Sequence, residues 1–454
     1  MRPVAKLLHF PLGGVARNLS YRDTNRHRED GMYPTPNACN VWPSGPFESR
    51  LRGGSRPGTV AFDGTLGGVW CWPNGEPVYW PDGESQIIYG DGVGGDSRTV
   101  DSHRVYQPSA ETGNVPQHVT AAAFHRARLA VADGNAIYIS RAGNIHDFDY
   151  GADMDDVGRA AVLSLADADV VGEPVTALCG VNDRLFYAAT ANSLWLIRAD
   201  LVSGERSCVS GEVGIAGPNA WCWDGNKLIF LSPRGLYTVD SGEGHPLWHE
   251  QGVKPVSSTT VPQELLGQKD AILAYDPYWR GVFIFLASGN HWFLDDAAGG
   301  LWPFRFADGF VPASVLRVKN ENREYCVFVG ADGSKRTFSV SASTDMGTEF
   351  SSYVDIGPFS LNQSTDSGDA MLAEITATLA EDSGPTTITV RASRAAEAAQ
   401  KAPLALFSAS LANGWHHVMR PRLRGVWFVL RIFSDSRWAY ESLEVVGRQL
   451  GRLR

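Results

Sequence analysis

Five stretches of the chain share one pattern: an apolar strand, a tight polar turn, and a second strand carrying aromatic or large aliphatic residues. They run Arg128–Ile139, Arg184–Ile197, Lys227–Val239, Gly281–Leu294 and Glu324–Phe338, and GVFIFLASGNHWFL in the fourth is typical. Counted from the first apolar residue of each (Leu129, Leu185, Leu228, Val282, Tyr325), the spacings are 56, 43, 54 and 43 residues. Hairpins recurring at roughly 40–50 residues predict an all-β chain and a β-propeller, each period being one four-stranded blade. About six blades are expected, and five to seven fit the spacing.

Outside the repeats the pattern changes. Residues 1–55 carry many charges, few periodic apolar positions and the turn formers Pro34, Pro36, Pro43 and Pro46. They predict an extended N-terminal arm, ordered against other parts of the chain or other subunits. Gly45–Gly58 then leads into a plausible first strand, and 56–344 is read as the propeller. Residues 69–80 (VWCWPNGEPVYW) form a further hairpin signal, and Gly90–Gly113 a long loop. In 345–454, Ala373–Glu381 and Thr386–Ser393 alternate like strands, while Arg394–Pro403 has helical composition and ends at a proline. Long apolar strands are expected at His416–Ser434 and Trp438–Val446. This C-terminal β region is either a closing blade or a small separate β-domain.

Composition narrows the class. With 454 residues, the chain exceeds what one ordinary core supports, and 48 Gly with 25 Pro suit a turn-rich β protein. A net charge of −10 argues against a protein that grips nucleic acid through its phosphates, yet permits a conduit that nucleic acid passes without sticking. The six cysteines include no CxxC pair, and Cys71 and Cys222 each sit between two tryptophans, so buried free thiols are expected. The opening residues lack the apolar run of a signal peptide, being broken by His9 and Pro11, and no window reaches the length of a membrane span. Folding in a reducing cytoplasm is the expectation.

The search for chemistry assigns no catalytic, cofactor-binding or metal-binding residue. Ser343-Thr-Asp345-Met-Gly347-Thr-Glu-Phe350 fits the S-x-D-x-G-x-x-aromatic turn of sialidase-type propellers, with a shorter match at Ser364–Gly368. Such boxes stabilise turns, because Ser and Asp side chains bond nearby backbone. The acidic run His146–Asp156 suggests calcium but lacks EF-hand spacing. His249-Glu250 and His416-His417 fit no zinc pattern, no carboxylate pair stands out for glycoside hydrolysis, and the Gly90–Gly113 glycines do not join a strand to a helix. Arginines do cluster, at Arg50, Arg52 and Arg56 and again at Arg420, Arg422, Arg424, Arg448, Arg452 and Arg454. A solvated face or contact with acidic neighbouring subunits accounts for them better than a nucleic-acid grip.

Three groups of residues carry a resemblance. The first is Gly13-Gly-Val15…Asn18 with Asn37-Ala-Cys-Asn40-Val41 and Arg50-Leu-Arg-Gly-Gly-Ser-Arg56-Pro57-Gly58. The second is Val209–Asp240, where a Gly-rich turn precedes a strand pair containing Gly235-Leu-Tyr237. The third is Arg422-Leu-Arg-Gly425-Val-Trp427 through Trp438 to Gly447…Gly451-Arg452. In these the chain resembles the β-propeller tail-nozzle (tail hub) proteins of short-tailed bacteriophages, over most of its length and as loose patterns. The resemblance implies a structural, non-enzymatic virion protein that needs no cofactor and is assembled in the host bacterial cytoplasm. About six copies would form a ring below the tail adaptor, with tail fibres or spikes attached. DNA would pass through it without sequence-specific binding, and the ring would help retain and then eject the genome. Two other readings remain open: a carbohydrate-binding or glycosidase-type propeller used in host-surface recognition, and a soluble propeller acting as an interaction scaffold.

Overall fold

The computed structural model describes residues 3–17, 19–20, 33–44, 46, 51–62, 77–79, 86–88, 109–151, 155–165, 172–240, 253–256, 261–319, 323–362, 368–411 and 417–451. Each of the five recurring hairpins is the middle pair of a four-stranded antiparallel sheet. Blade 1 is Val119–His125, Arg128–Asp133, Ala136–Ile139 and Ala161–Ser164. Blade 2 is Ala177–Gly180, Leu185–Ala189, Leu194–Arg198 and Arg206–Ser210. Blade 3 is Trp221–Trp223, Lys227–Ser232, Gly235–Asp240 and Lys254–Pro255. Blade 4 is Ile272–Asp276, Gly281–Phe285, His291–Asp295 and Leu301–Phe304. The middle strands of blade 4 are buried at every position. Blades covered on both faces need continuous apolar runs instead of alternation.

Blade 5 is built differently. Pro312–Lys319, Glu324–Gly330 and Lys335–Ser339 supply three strands, and the fourth, Gly58–Ala61, comes from the start of the chain. Its register runs from Ser339 opposite Gly58 to Arg336 opposite Ala61. The sheet is thus closed by a strand nearly 300 positions away, which removes an open edge. One further hairpin, Pro77–Tyr79 with Gln86–Ile88, is present; the rest of the 69–80 signal, and most of the loop expected at 90–113, lie outside the described residues.

Among the described residues, the C-terminal region adds no strand to the propeller blades. It forms two five-stranded sheets, each completed by an N-terminal strand. In the first, Pro3–Leu8 pairs with Tyr440–Gly451, which pairs with Asp369–Leu379; His417–Met419 and Leu423–Gly425 follow one another along the far edge. In the second the order is Ala38–Cys39, Ser352–Phe359, Trp427–Ser434, Thr386–Ser393 and Phe407–Leu411. The inward faces of both sheets (Leu372, Ile375 and Val445; Ile356, Ile388 and Leu430) belong to one core, giving a β-sandwich. The described parts of residues 1–55 therefore lie against the chain's own sheets. The run expected as one strand at His416–Ser434 is three; the first break falls at Pro421, which lacks an N–H, and Arg422, with φ 51°. The expected helix spans Ala396–Lys401. No helix among the described residues is long and apolar enough to cross a membrane.

Candidate functional site

Two places concentrate chemistry: the joint between propeller and sandwich, and the propeller axis. At the joint, Val41–Ser44 and Leu51–Ser55 form a small hairpin that inserts Trp42 among the rings of blades 4 and 5. Trp42 is fully buried, stacked on Phe293 at 4.6 Å and edge-on to Phe338 at 5.0 Å. Phe10 makes a second bridge, stacked on Trp302 of blade 4 at 5.5 Å and 6.0 Å from Tyr440 of the sandwich. Glycine is required where these chains cross. Gly53 has φ 78°, and a Cβ there would stand 2.2 Å from the Phe10 ring; at Gly58 it would meet the Thr344 carbonyl at 2.1 Å.

Arg56 lies at the centre of this joint, buried together with Asp345. Its Nε donates to Asn40 Oδ1 (3.0 Å), Nη1 to Pro57 O (2.8 Å) and Asp345 Oδ1 (2.9 Å), and Nη2 to Arg305 O (2.7 Å) and Asp345 Oδ2. All five N–H groups are used, and the guanidinium lies 3.9 Å from the centre of the Phe350 ring. Asp345 also accepts from the Ala307 N–H at 2.9 Å, and its own N–H and C=O close a turn with Thr348. The Ser343–Phe350 box is therefore a turn whose carboxylate is sealed against an arginine and whose Phe350 covers that arginine. A carboxylate with no exposed surface cannot meet a substrate.

The axis is lined by the first strands of the five described blades, around a partly open cavity of about 150 Å³. Its lining includes Ala122, Gly180, Trp221, Trp223, Tyr275, Ser314 and Arg317. Arg317 is paired with Glu324, donates to the Trp223 carbonyl at 3.3 Å and lies 5.9 Å from the centre of the Tyr275 ring. Cys222 and Cys326 also line the space, and burial pushes both thiols upward, away from the reactive thiolate. Beside the cavity, Asp276 accepts from the N–H groups of Tyr278, Trp279 and Cys326 at 2.8–3.1 Å, latching blade 4 to blade 5. Burial still pushes its carboxyl up to about 6.

The remaining candidates are placed elsewhere. In the acidic run, Asp147 and Asp156 both pair with Arg141, at 2.9 and 2.5 Å, and each also caps a nearby backbone N–H. Among the described residues no group of three or more His, Cys, Asp or Glu is placed to hold a metal. Arg52 pairs with Glu441, Arg420 with Glu374 at 3.4 Å and Arg424 with Asp369 at 3.0 Å, so these arginines bind the sandwich's own acids. Arg50, Arg452, Arg454, Cys71, His249-Glu250, His416 and Ser364–Ser367 lie outside the described residues. The other five cysteines are free. Sequence reasoning passed over Ser314, Arg317 and the Trp221/Trp223 pair as site residues; only the Trp-Cys-Trp run hinted at them, and it reads equally well as core.

No protein-family model matches the chain, and no curated protein matches it. Solved structures similar to it include PorZ, a surface component of the type-IX secretion system of Porphyromonas gingivalis, at 12% identity and TM-score 0.30 over 54% of this chain and 36% of that one. The β-propeller domain of Cps50 (Swd1) from Myceliophteria thermophila aligns at 16% identity and TM-score 0.28, over 49% and 68% of the two chains. BamB from Moraxella catarrhalis aligns at 12% and 0.27, over 49% and 70%. The chain thus spans little more than a third of PorZ. These likenesses concern fold alone.

Proposed function

We propose that the chain is a structural component of a short-tailed bacteriophage tail, a subunit of a nozzle or hub ring of about six copies. The observation that carries this reading is where the resembling segments fall. Gly14 and Val15, Asn40, Ser55 to Gly58 and Trp438 all take part in the joint between the two β modules. That joint gives a stiff block suited to bearing the load of packaged DNA. The axial cavity, at about 150 Å³, is far too small for a duplex, so DNA would run between subunits.

The test is the mass of the full-length chain by light scattering, alone and with the tail adaptor. A particle of about six chains in either condition is expected. A monomer in both overturns the proposal.

A further inference from the structure

The axial cavity has the make-up of a ligand site. Three aromatic residues, Trp221, Trp223 and Tyr275, line it while only partly buried. Ser314 lines it too; the residue is 5% exposed, and its Oγ is buried with no hydrogen-bond partner. A buried hydroxyl without a partner costs stability, and a turn about its Cα–Cβ bond would bring this one to a group held in the cavity. The backbone explains how it is held. The pairing of Pro312–Lys319 with Glu324–Gly330 slips between Pro312 and Ser314, and such bulges re-aim a side chain.

Size and charge select the class of ligand. About 150 Å³ is well below the several hundred Å³ that hold a drug-sized molecule, and suits a single small ring. The charge of Arg317 is already answered by Glu324, so a carboxylate or phosphate would find no free countercharge there. Arg317 and Ser314 can still donate to neutral oxygens, and aromatic walls suit the apolar face of a sugar ring.

We propose that the propeller axis binds one neutral hexopyranose unit, with Arg317 donating to its hydroxyls, Ser314 turning its Oγ out of its buried position to do the same, and Trp221, Trp223 and Tyr275 flanking its ring. The site stands apart from the ring-assembly reading and is tested on the full-length chain in whatever oligomeric state it adopts. The probes are glucose, galactose, mannose and N-acetylglucosamine, with benzoate and inorganic phosphate as anionic comparisons, followed by calorimetry and tryptophan fluorescence. A saturable signal for at least one neutral sugar is expected, with Kd on the order of 1 mM. Ser314→Ala should weaken it about tenfold while leaving Tm unchanged or higher, since the variant removes an unpaired hydroxyl. Absence of saturation up to about 100 mM overturns the proposal, being too weak for a built site. So does preferential binding of benzoate or phosphate, or an affinity that Ser314→Ala leaves intact.

Discussion

Blades 1 and 2 are fastened to each other with alanines and aliphatic side chains, blades 4 and 5 with rings. Between the first pair lie Ala121, Ala123, Ala130, Ala132 and Ala188 with eight Ile, Leu and Val residues and one buried phenylalanine, Phe186. The backbones come so close that a Cβ on Gly180 would stand 2.0 Å from the Phe124 carbonyl. Across the second pair, Phe283 meets Phe338 at 5.3 Å and Phe285 meets Phe328 at 5.1 Å, with Trp42 added from outside the blades. Each region also buries an arginine. Arg128 donates to the carbonyls of Ser140, Val157 and Arg159, with Asp200 3.6 Å away; Arg56 is sealed against Asp345. The same fold thus tolerates two kinds of blade contact. The bulky, charged one stands where a second module is joined on, because that joint must fill volume and fix an orientation as well as exclude water.

Breaking the ring-rich side should have the largest effect. Arg56→Ala leaves a buried carboxylate unpaired and is expected to remove about 3–5 kcal/mol in urea unfolding. Arg128→Ala leaves mainly carbonyls behind, and should cost about 1–3 kcal/mol. Trp42→Ala, which empties a ring-lined site, should cost about 3–5 kcal/mol. On the small-residue side the damage comes from the opposite change: Ala130→Leu overpacks, and about 1–3 kcal/mol is expected. Equal losses in the paired variants would erase the contrast.

A finer test uses pH. Burial lowers His291 in blade 4 to about 4, where its Nδ1 accepts from the Leu286 N–H at 3.2 Å. The unfolded chain takes up that proton near 6.5 and the folded chain does not, so His291 withdraws stability as pH falls from 6.5 towards 4. Asp276 in the same blade acts in the other sense. Its folded value of about 6 lies above its ordinary 3.8, so it adds stability as pH falls through that interval. Each contribution is roughly 3 kcal/mol at most, and the two nearly cancel. Asp276→Asn should therefore make urea stability fall more steeply between pH 6.5 and 4 than in the parent chain; parallel curves would refute the assignment. The smallest effect is expected from Arg141→Ala in blade 1, whose ion pairs lie at the partly exposed surface. Its change in urea midpoint should lie near the detection limit.

The sequence made local structure legible and long-range structure obscure. The five hairpins could be read because both strands and their turn are contiguous. Gly58–Ala61 could be read as a strand, but nothing local says that its neighbour is Lys335–Ser339. Pro3–Leu8 and Ala38–Cys39 looked like parts of an arm because edge strands this short carry little periodicity. Arg56 read like the other arginines near it, since burial is decided by Asp345, far along the chain. The Ser343–Phe350 box was legible as a turn, while its partner was not. Ser314 gave no signal, for a bulge leaves no mark in composition.

Pairing the earliest strand with the latest has a consequence for synthesis. Pro3–Leu8 leaves the ribosome first and Tyr440–Gly451 last among the described strands, so the first must wait on the order of a minute for its partner. Gly58–Ala61 waits somewhat more than half as long for blade 5. During that interval both are unpaired β segments, and the edge strand's Pro3 and Lys6 are residues that discourage pairing with a stranger. Closure of both sheets should therefore be set by the time to complete synthesis more than by the stability of any one blade.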